Sequence, residues 1–169
     1  VEKASQDREV IFHLAALASV TQSVEKPIDS AMINDMGTLH VLEAARANNA
    51  KRAVLSSSCA VYGDDPQLPM TEAMGLEPVS PYAHQKLTGE GYARLYHELY
   101  GVETVCLRYF NVFGPRQDPS SPYSGVISLF LTRAVAEEPP VIYGDGQQYR
   151  DFVFVKDVVT ANLLASQAD

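Results

Sequence analysis

Short apolar runs alternating with helix-length segments constrain this chain more than any other feature. Val10-Ile11-Phe12-His13-Leu14 is nearly all apolar and reads as a strand buried on both faces. A segment over residues 27–48 opens with Pro27. It carries Ile33, Met36, Leu39, Val41, Leu42 and Ala45 at helical recurrence. Ala53-Val54-Leu55 is a second buried strand, ended by the serine run Ser56-Ser57-Ser58. Residues 63–80, rich in Pro, Asp and Gly, form a loop. Pro81 suits the first turn of a helix over 81–100, and Gly101 stops it. Residues 104–109 are a third strand, followed by a loop with Gly114, Pro115, Pro119 and Pro122. A helix over 126–137, short strands at 141–143 and 152–154, and a last helix over 155–167 complete the pattern. Strands and helices in this alternation predict an α/β fold, a doubly wound parallel sheet with helices on both faces.

Charge and cysteine content narrow the function. A net charge of −8 opposes coating of nucleic acid or an anionic membrane, which needs concentrated positive charge. Neither partner is expected, although one or two placed arginines can still hold a diphosphate. No apolar run approaches the roughly 18 residues of a membrane span. No signal-peptide pattern opens the chain. Cys59 and Cys106 are too few for a disulfide framework and lack metal-ligand spacing. Reduced thiols in a cytoplasmic protein without a structural metal are the expectation.

The chemistry concentrates in Tyr82-Ala83-His84-Gln85-Lys86. A tyrosine and a lysine four apart on a helix share a face. The ammonium can there favour the phenolate and lower the tyrosine pKa, as a general base requires. Any amphipathic helix can carry such a pair by chance. Ser58 adds context, because it closes a strand at the carboxyl edge where open α/β sheets bind ligands. A polar strand end before a turn would look the same. His13 reads as a hydrogen-bonded strand-end residue, and His40, His84 and His97 as solvated.

Serine, tyrosine and lysine in this order resemble the catalytic triad of the short-chain dehydrogenase/reductase superfamily. His13-Leu14-Ala15-Ala16, Asn34 with Gly37-Thr38, Arg108 to Arg116, and Gly144-Asp145-Gly146 with Arg150-Asp151-Phe152 add further motifs in order. Together they resemble the NAD-dependent epimerase/dehydratase family, most closely its UDP-glucose and UDP-N-acetylglucosamine 4-epimerases. The resemblance implies a Rossmann-like fold and NAD as cofactor, a UDP-sugar as substrate, and a homodimer in the intact protein. It implies catalytic roles for Ser58, Tyr82 and Lys86. Leu14, Ala15, Ala16, Asn34, Ser56 and Tyr109 become cofactor-side positions beside Tyr82 and Lys86. Ser19, Asn111, Tyr143 and Arg150 become substrate-side positions beside Ser58. A turn residue at Asn111 and a surface arginine at Arg150 are the plainer readings.

The departures from the family pattern also inform. The Gly-rich turn for the cofactor pyrophosphate and the acidic residue for the adenosine ribose are absent. By the family pattern, residues 1–169 form a partial NAD-binding domain that runs into the substrate region at about 111–169. It would lack the N-terminal strands and most of the C-terminal substrate subdomain, and alone it is expected to be inactive. Relatives that dehydrate or decarboxylate carry an acid where Cys59 or Ala60 stands. Neither residue can replace that acid: alanine does not titrate, and a thiol without a basic neighbour stays mostly protonated. A reaction at one carbon is therefore favoured, which is 4-epimerisation. A nucleotide-sugar reductase or dehydrogenase, and a binding-only relative, are the alternatives. The intact trio opposes the latter.

Overall fold

A computed structural model describes residues 1–64, 67–121 and 124–168. Asp65, Pro66, Pro122, Tyr123 and Asp169, the first four in expected loops, lie outside the described residues. The chain divides into two compact units, residues 1–108 with 161–169, and residues 109–160.

The first unit is built on three strands, β1 (Val10–His13), β2 (Arg52–Ser58) and β3 (Glu103–Tyr109), in the order β1-β2-β3. β1 and β2 run parallel, with Val10 opposite Arg52 and His13 opposite Leu55. Three helices join them: α1 (Val20–Glu25), α2 (Pro27–Ala47) and α3 (Pro81–Tyr100). Pro27 and Pro81 sit in the first turns of α2 and α3, where a missing N–H costs nothing. Gly101 ends α3 in the left-handed conformation, at φ 73°, and its N–H donates to the His97 carbonyl. α2 and α3 pack on each other and on β2, burying Leu42, Ala53, Leu55, Ala93 and Tyr96 in one cluster.

Strand periodicity puts the odd residues of β2 towards these helices and the even ones on the opposite face. On that opposite face Arg52 donates to the Ala165 carbonyl at 3.1 Å, at the end of α5 (Val155–Ala165). The end of α5 thus meets the start of β2 through this bond. The loop expected over 63–80 holds neither helix nor strand among its described residues. Gly63 (φ 71°) begins it, and a Cβ there would collide with the Glu77 carbonyl oxygen.

Several expectations need correction. Among the described residues β1 is, like β3, an edge strand of its sheet, and Phe12 is 40% exposed. An apolar run reports the residues' preference, not how many layers cover them. The serine run does not end β2 but forms its last three residues, because serine can pair through its backbone as well as valine. Residues 141–143 are not a strand, and Tyr143 is 82% exposed. β-branched residues there follow Pro139 and Pro140, which lack N–H donors for a ladder. α1 was not foreseen; it is short, polar and started by Ser19, whose Oγ accepts from the Gln22 N–H at 3.0 Å.

In the second unit β4 (Asn111–Phe113) pairs parallel with β5 (Phe152–Phe154). The Asn111 backbone N–H and side-chain Nδ2 both donate to the Asp151 carbonyl, at 3.1 and 2.8 Å. Phe113 packs edge-on to Phe152 and tilted on Phe154. α4 (Val126–Val135) belongs to the same unit.

Candidate active site

Ser58, Tyr82 and Lys86 converge at the carboxyl end of β2. Ser58 closes the strand and caps the 3-10 turn Cys59–Tyr62, its Oγ accepting from the Ala60 N–H at 3.2 Å. That bond occupies an oxygen lone pair and leaves the hydroxyl proton for another acceptor. Tyr82 stands in the first turn of α3, whose start is fixed twice. Ser80 Oγ accepts from the Ala83 N–H at 3.2 Å, and the buried Ser23 Oγ accepts from the Tyr82 N–H at 3.1 Å. The Ser58 hydroxyl is near enough to the Tyr82 hydroxyl to act on its ionisation. One turn on, Lys86 Nζ donates to the Ser56 carbonyl at 2.8 Å and lies 5.8 Å from the Tyr82 ring centroid.

Electrostatics here depart from expectation. Burial pushes the Tyr82 hydroxyl above its ordinary range, and the nearby Ser58 hydroxyl pulls it part of the way back. Lys86 Nζ is hydrogen-bonded to the Ser56 carbonyl, and burial depresses the Lys86 pKa as well. The resting tyrosine is a phenol, and a phenolate there requires further positive charge in the cleft. His13 is held neutral, first by burial and then by the charge of Lys86, and shares a 3.1 Å hydrogen bond with Thr38 Oγ1. Since the folded pKa of His13 is depressed, its contribution is fully present above the unfolded value of 6.5 and is lost as pH falls through the folded value. His13→Asn should therefore flatten the acid limb of stability below pH 6.5, measured by urea unfolding at a series of pH values. An unchanged acid limb would remove His13 from the acid response.

The remaining candidates fall into separate groups. Ala15, Ala16, Asn34, Ser56 and Lys86 line one cleft together with His13, Thr38 and Gln85. Leu14 follows β1 and is exposed, and Ser19 is the cap of α1. Tyr109 is the last residue of β3. In the second unit Asn111 and Arg150 line a common cleft, with Arg150 Nη1 donating to the Tyr149 carbonyl at 2.8 Å. Tyr143 is not part of that lining. Tyr62 is buried and accepts from Arg108 Nη1 at 3.1 Å, a structural contact. Not foreseen were Ser23 beneath Tyr82, Ser30 and Gln85 beside Asn34, and the Glu90–Arg108 pair.

Lys86 has three N–H donors, of which Ser56 takes one at full strength, so the first, narrow cleft keeps donors for a polar group such as a ribose hydroxyl. No Gly-rich turn for a pyrophosphate occurs in the sequence.

Comparison with known proteins gives this geometry its context. The description "NAD dependent epimerase/dehydratase family" matches residues 1–169. The chain belongs to the NAD-dependent epimerase/dehydratase family. Within it, a putative UDP-glucose 4-epimerase of Methanocaldococcus jannaschii is 46% identical over 161 residues, covering 95% of this chain and 52% of that protein. A solved UDP-N-acetylglucosamine 4-epimerase from Methanobrevibacter ruminantium, in complex with UDP-N-acetylmuramic acid, superposes with a TM-score of 0.95 at 48% identity. It covers 99% of this chain and 54% of its own. The UDP-glucose 4-epimerase of Thermotoga maritima with UDP-glucose gives a TM-score of 0.92 at 40% identity, covering 97% and 54%. The chain thus spans about half the length of the epimerase/dehydratase proteins it matches, with their Rossmann-like α/β fold.

Proposed function

We propose that the full-length protein carrying this chain is a nucleotide-sugar 4-epimerase of the UDP-hexose type, working by transient oxidation at C4 with tightly held NAD. The observation that carries this reading is Ser58 at the end of β2 beside Tyr82 and Lys86 of α3, followed by Cys59 and Ala60 where a second acid would be needed. Such a site moves one proton at one oxygen and has no group for an extra transfer at a neighbouring carbon. Tyr82 as phenolate takes the proton of the sugar 4-hydroxyl. Ser58 donates a hydrogen bond to the same oxygen and steadies the 4-keto sugar. Lys86, tied to the end of β2, orients the nicotinamide ribose through its remaining N–H donors. NAD, when bound, supplies the reversible hydride acceptor. Once the keto-sugar has turned over, Tyr82 returns the proton to the 4-oxygen.

Leu14, Ala15, Ala16, Asn34, Ser56 and Tyr109 are assigned to the cofactor. Ser19, Asn111, Tyr143 and Arg150 are assigned to the nucleotide sugar, the planar guanidinium suiting a diphosphate. The test is interconversion of UDP-glucose with UDP-galactose, and of their N-acetylamino counterparts, by the full-length protein. Stoichiometric consumption of NADH would favour a reductase instead.

Self-association through α2 and α3 and a cytoplasmic location belong to the same proposal. Met36, Leu95 and Leu99 are 37%, 42% and 65% exposed on these helices, and Ile28 and Met32 add apolar surface on α2. A two-fold pairing would bury these side chains between copies. Light scattering should give the mass of two protomers; the mass of one would contradict the pairing. No helix among the described residues is long and apolar enough to cross a membrane.

A further inference from the structure

We propose that Gln85 is a positioning residue, whose side-chain carbonyl ties the catalytic helix α3 to the loop over residues 14–19 through Ser30 and Asn34. The inference rests on the epimerase reading above only for its kinetic arm. Gln85 lies between the two functional residues of α3, three after Tyr82 and one before Lys86. Its Oε1 accepts from Ser30 Oγ and from Asn34 Nδ2, both at 2.7 Å. All three residues are buried, at 6%, 0% and 4% exposure for Gln85, Ser30 and Asn34. Two donors meet one carbonyl where water is excluded, so the arrangement is expensive to disrupt and geometrically narrow.

Asn34 then passes the constraint on. Its Oδ1 accepts from the Leu17 N–H at 2.8 Å, and its Nδ2 donates to the Leu17 carbonyl at 3.0 Å. A side-chain amide that pairs with both backbone groups of one residue fixes that residue's position and orientation, much as a strand neighbour does. Leu17 sits between Ala15-Ala16, which line the cleft, and Ser19, which caps α1. α1 in turn supplies Ser23 under the Tyr82 N–H. The loop and the start of α3 are therefore joined at two points, by Ser23 to Tyr82 and by the Gln85–Asn34–Leu17 chain. Of these, only the second reaches α3 from the side chain next to Lys86. Misplacing bound reactants by about 1 Å can cost about 10²-fold in rate, so slack in this chain should appear in kcat more than in KM.

The test uses the full-length protein with Gln85→Met, alongside the double variant Ser30→Ala with Gln85→Met. The double variant removes a buried donor together with its acceptor and is the better-tolerated of the two. Hydrogen exchange at the Leu17 amide is read against amides of β2, which report global opening. The expected result is Leu17 exchange about tenfold faster with β2 unchanged, and kcat per folded molecule lowered about tenfold or more at nearly constant KM. Leu17 exchange that merely tracks β2, or kcat retained per folded molecule, would overturn the proposal. Should the wild-type protein interconvert no UDP-sugar, the epimerase reading falls, and the Leu17 result still decides the tether.

Discussion

Tyr82→Phe in the full-length protein should lower kcat by about 10²–10⁴-fold, the usual contribution of a positioned general base, and leave UDP-sugar affinity unchanged. The substitution removes one oxygen and little else. The ring keeps its place, because the start of α3 is held by Ser80 and by Ser23 on the Tyr82 backbone N–H, neither of which involves the hydroxyl. Ser58 keeps its bond from the Ala60 N–H. What disappears is the proton acceptor for the sugar 4-hydroxyl. Steady-state kinetics with calorimetric titration of the UDP-sugar separates the two effects. Wild-type kcat in this variant would remove Tyr82 from the mechanism.

Glu90→Ala should bring the largest loss of stability among single changes near the site, about 3–5 kcal/mol, as for other broken buried ion pairs. Glu90 Oε1 accepts from Arg108 Nε at 2.9 Å and from Ser57 Oγ, and Oε2 accepts from Arg108 Nη2 at 2.7 Å. The two side chains are only 14% and 18% exposed. The paired carboxylate holds the guanidinium pKa above its ordinary value. Without it a positive charge stays in the protein, hydrogen-bonded to the Tyr62 hydroxyl. Against a total of about 5–15 kcal/mol such a loss takes a large share. The network also joins α3, β2, β3 and the turn after Ser58, so the effect should reach the site. Urea unfolding of the full-length variant measures it. A loss within the roughly 0.5 kcal/mol typical of surface changes would show that the pair is not needed. Replacing both residues with methionine should recover most of the stability, because no uncompensated charge remains.

Legibility in the sequence followed how local each signal is. α2 and α3 could be read because Pro27, Pro81 and Gly101 mark their ends and apolar residues recur along them. β2 and β3 were legible as apolar runs, and Ser58, Tyr82 and Lys86 as a spacing. Two short elements were missed, α1 of six residues and β4 of three, too few for a period to register, although the equally short β5 was read as an apolar run. Residues 141–143 show the opposite failure, β-favouring side chains behind two prolines. The Gln85 bonds to Ser30 and Asn34 span 55 and 51 positions, and no spacing rule brings such residues together. The electrostatics depend on the fold in the same way: sequence put Lys86 on the same face as Tyr82, and the fold shows its ammonium hydrogen-bonded to Ser56 and burial raising the Tyr82 pKa.

The central claim is tested most directly by giving the full-length protein a UDP-hexose carrying deuterium at C4. Transient oxidation at that carbon predicts the opposite C4 epimer with the deuterium still at C4 and no net formation of NADH. Product that has lost the label, NADH accumulating in step with sugar consumed, or an unchanged sugar would each contradict it.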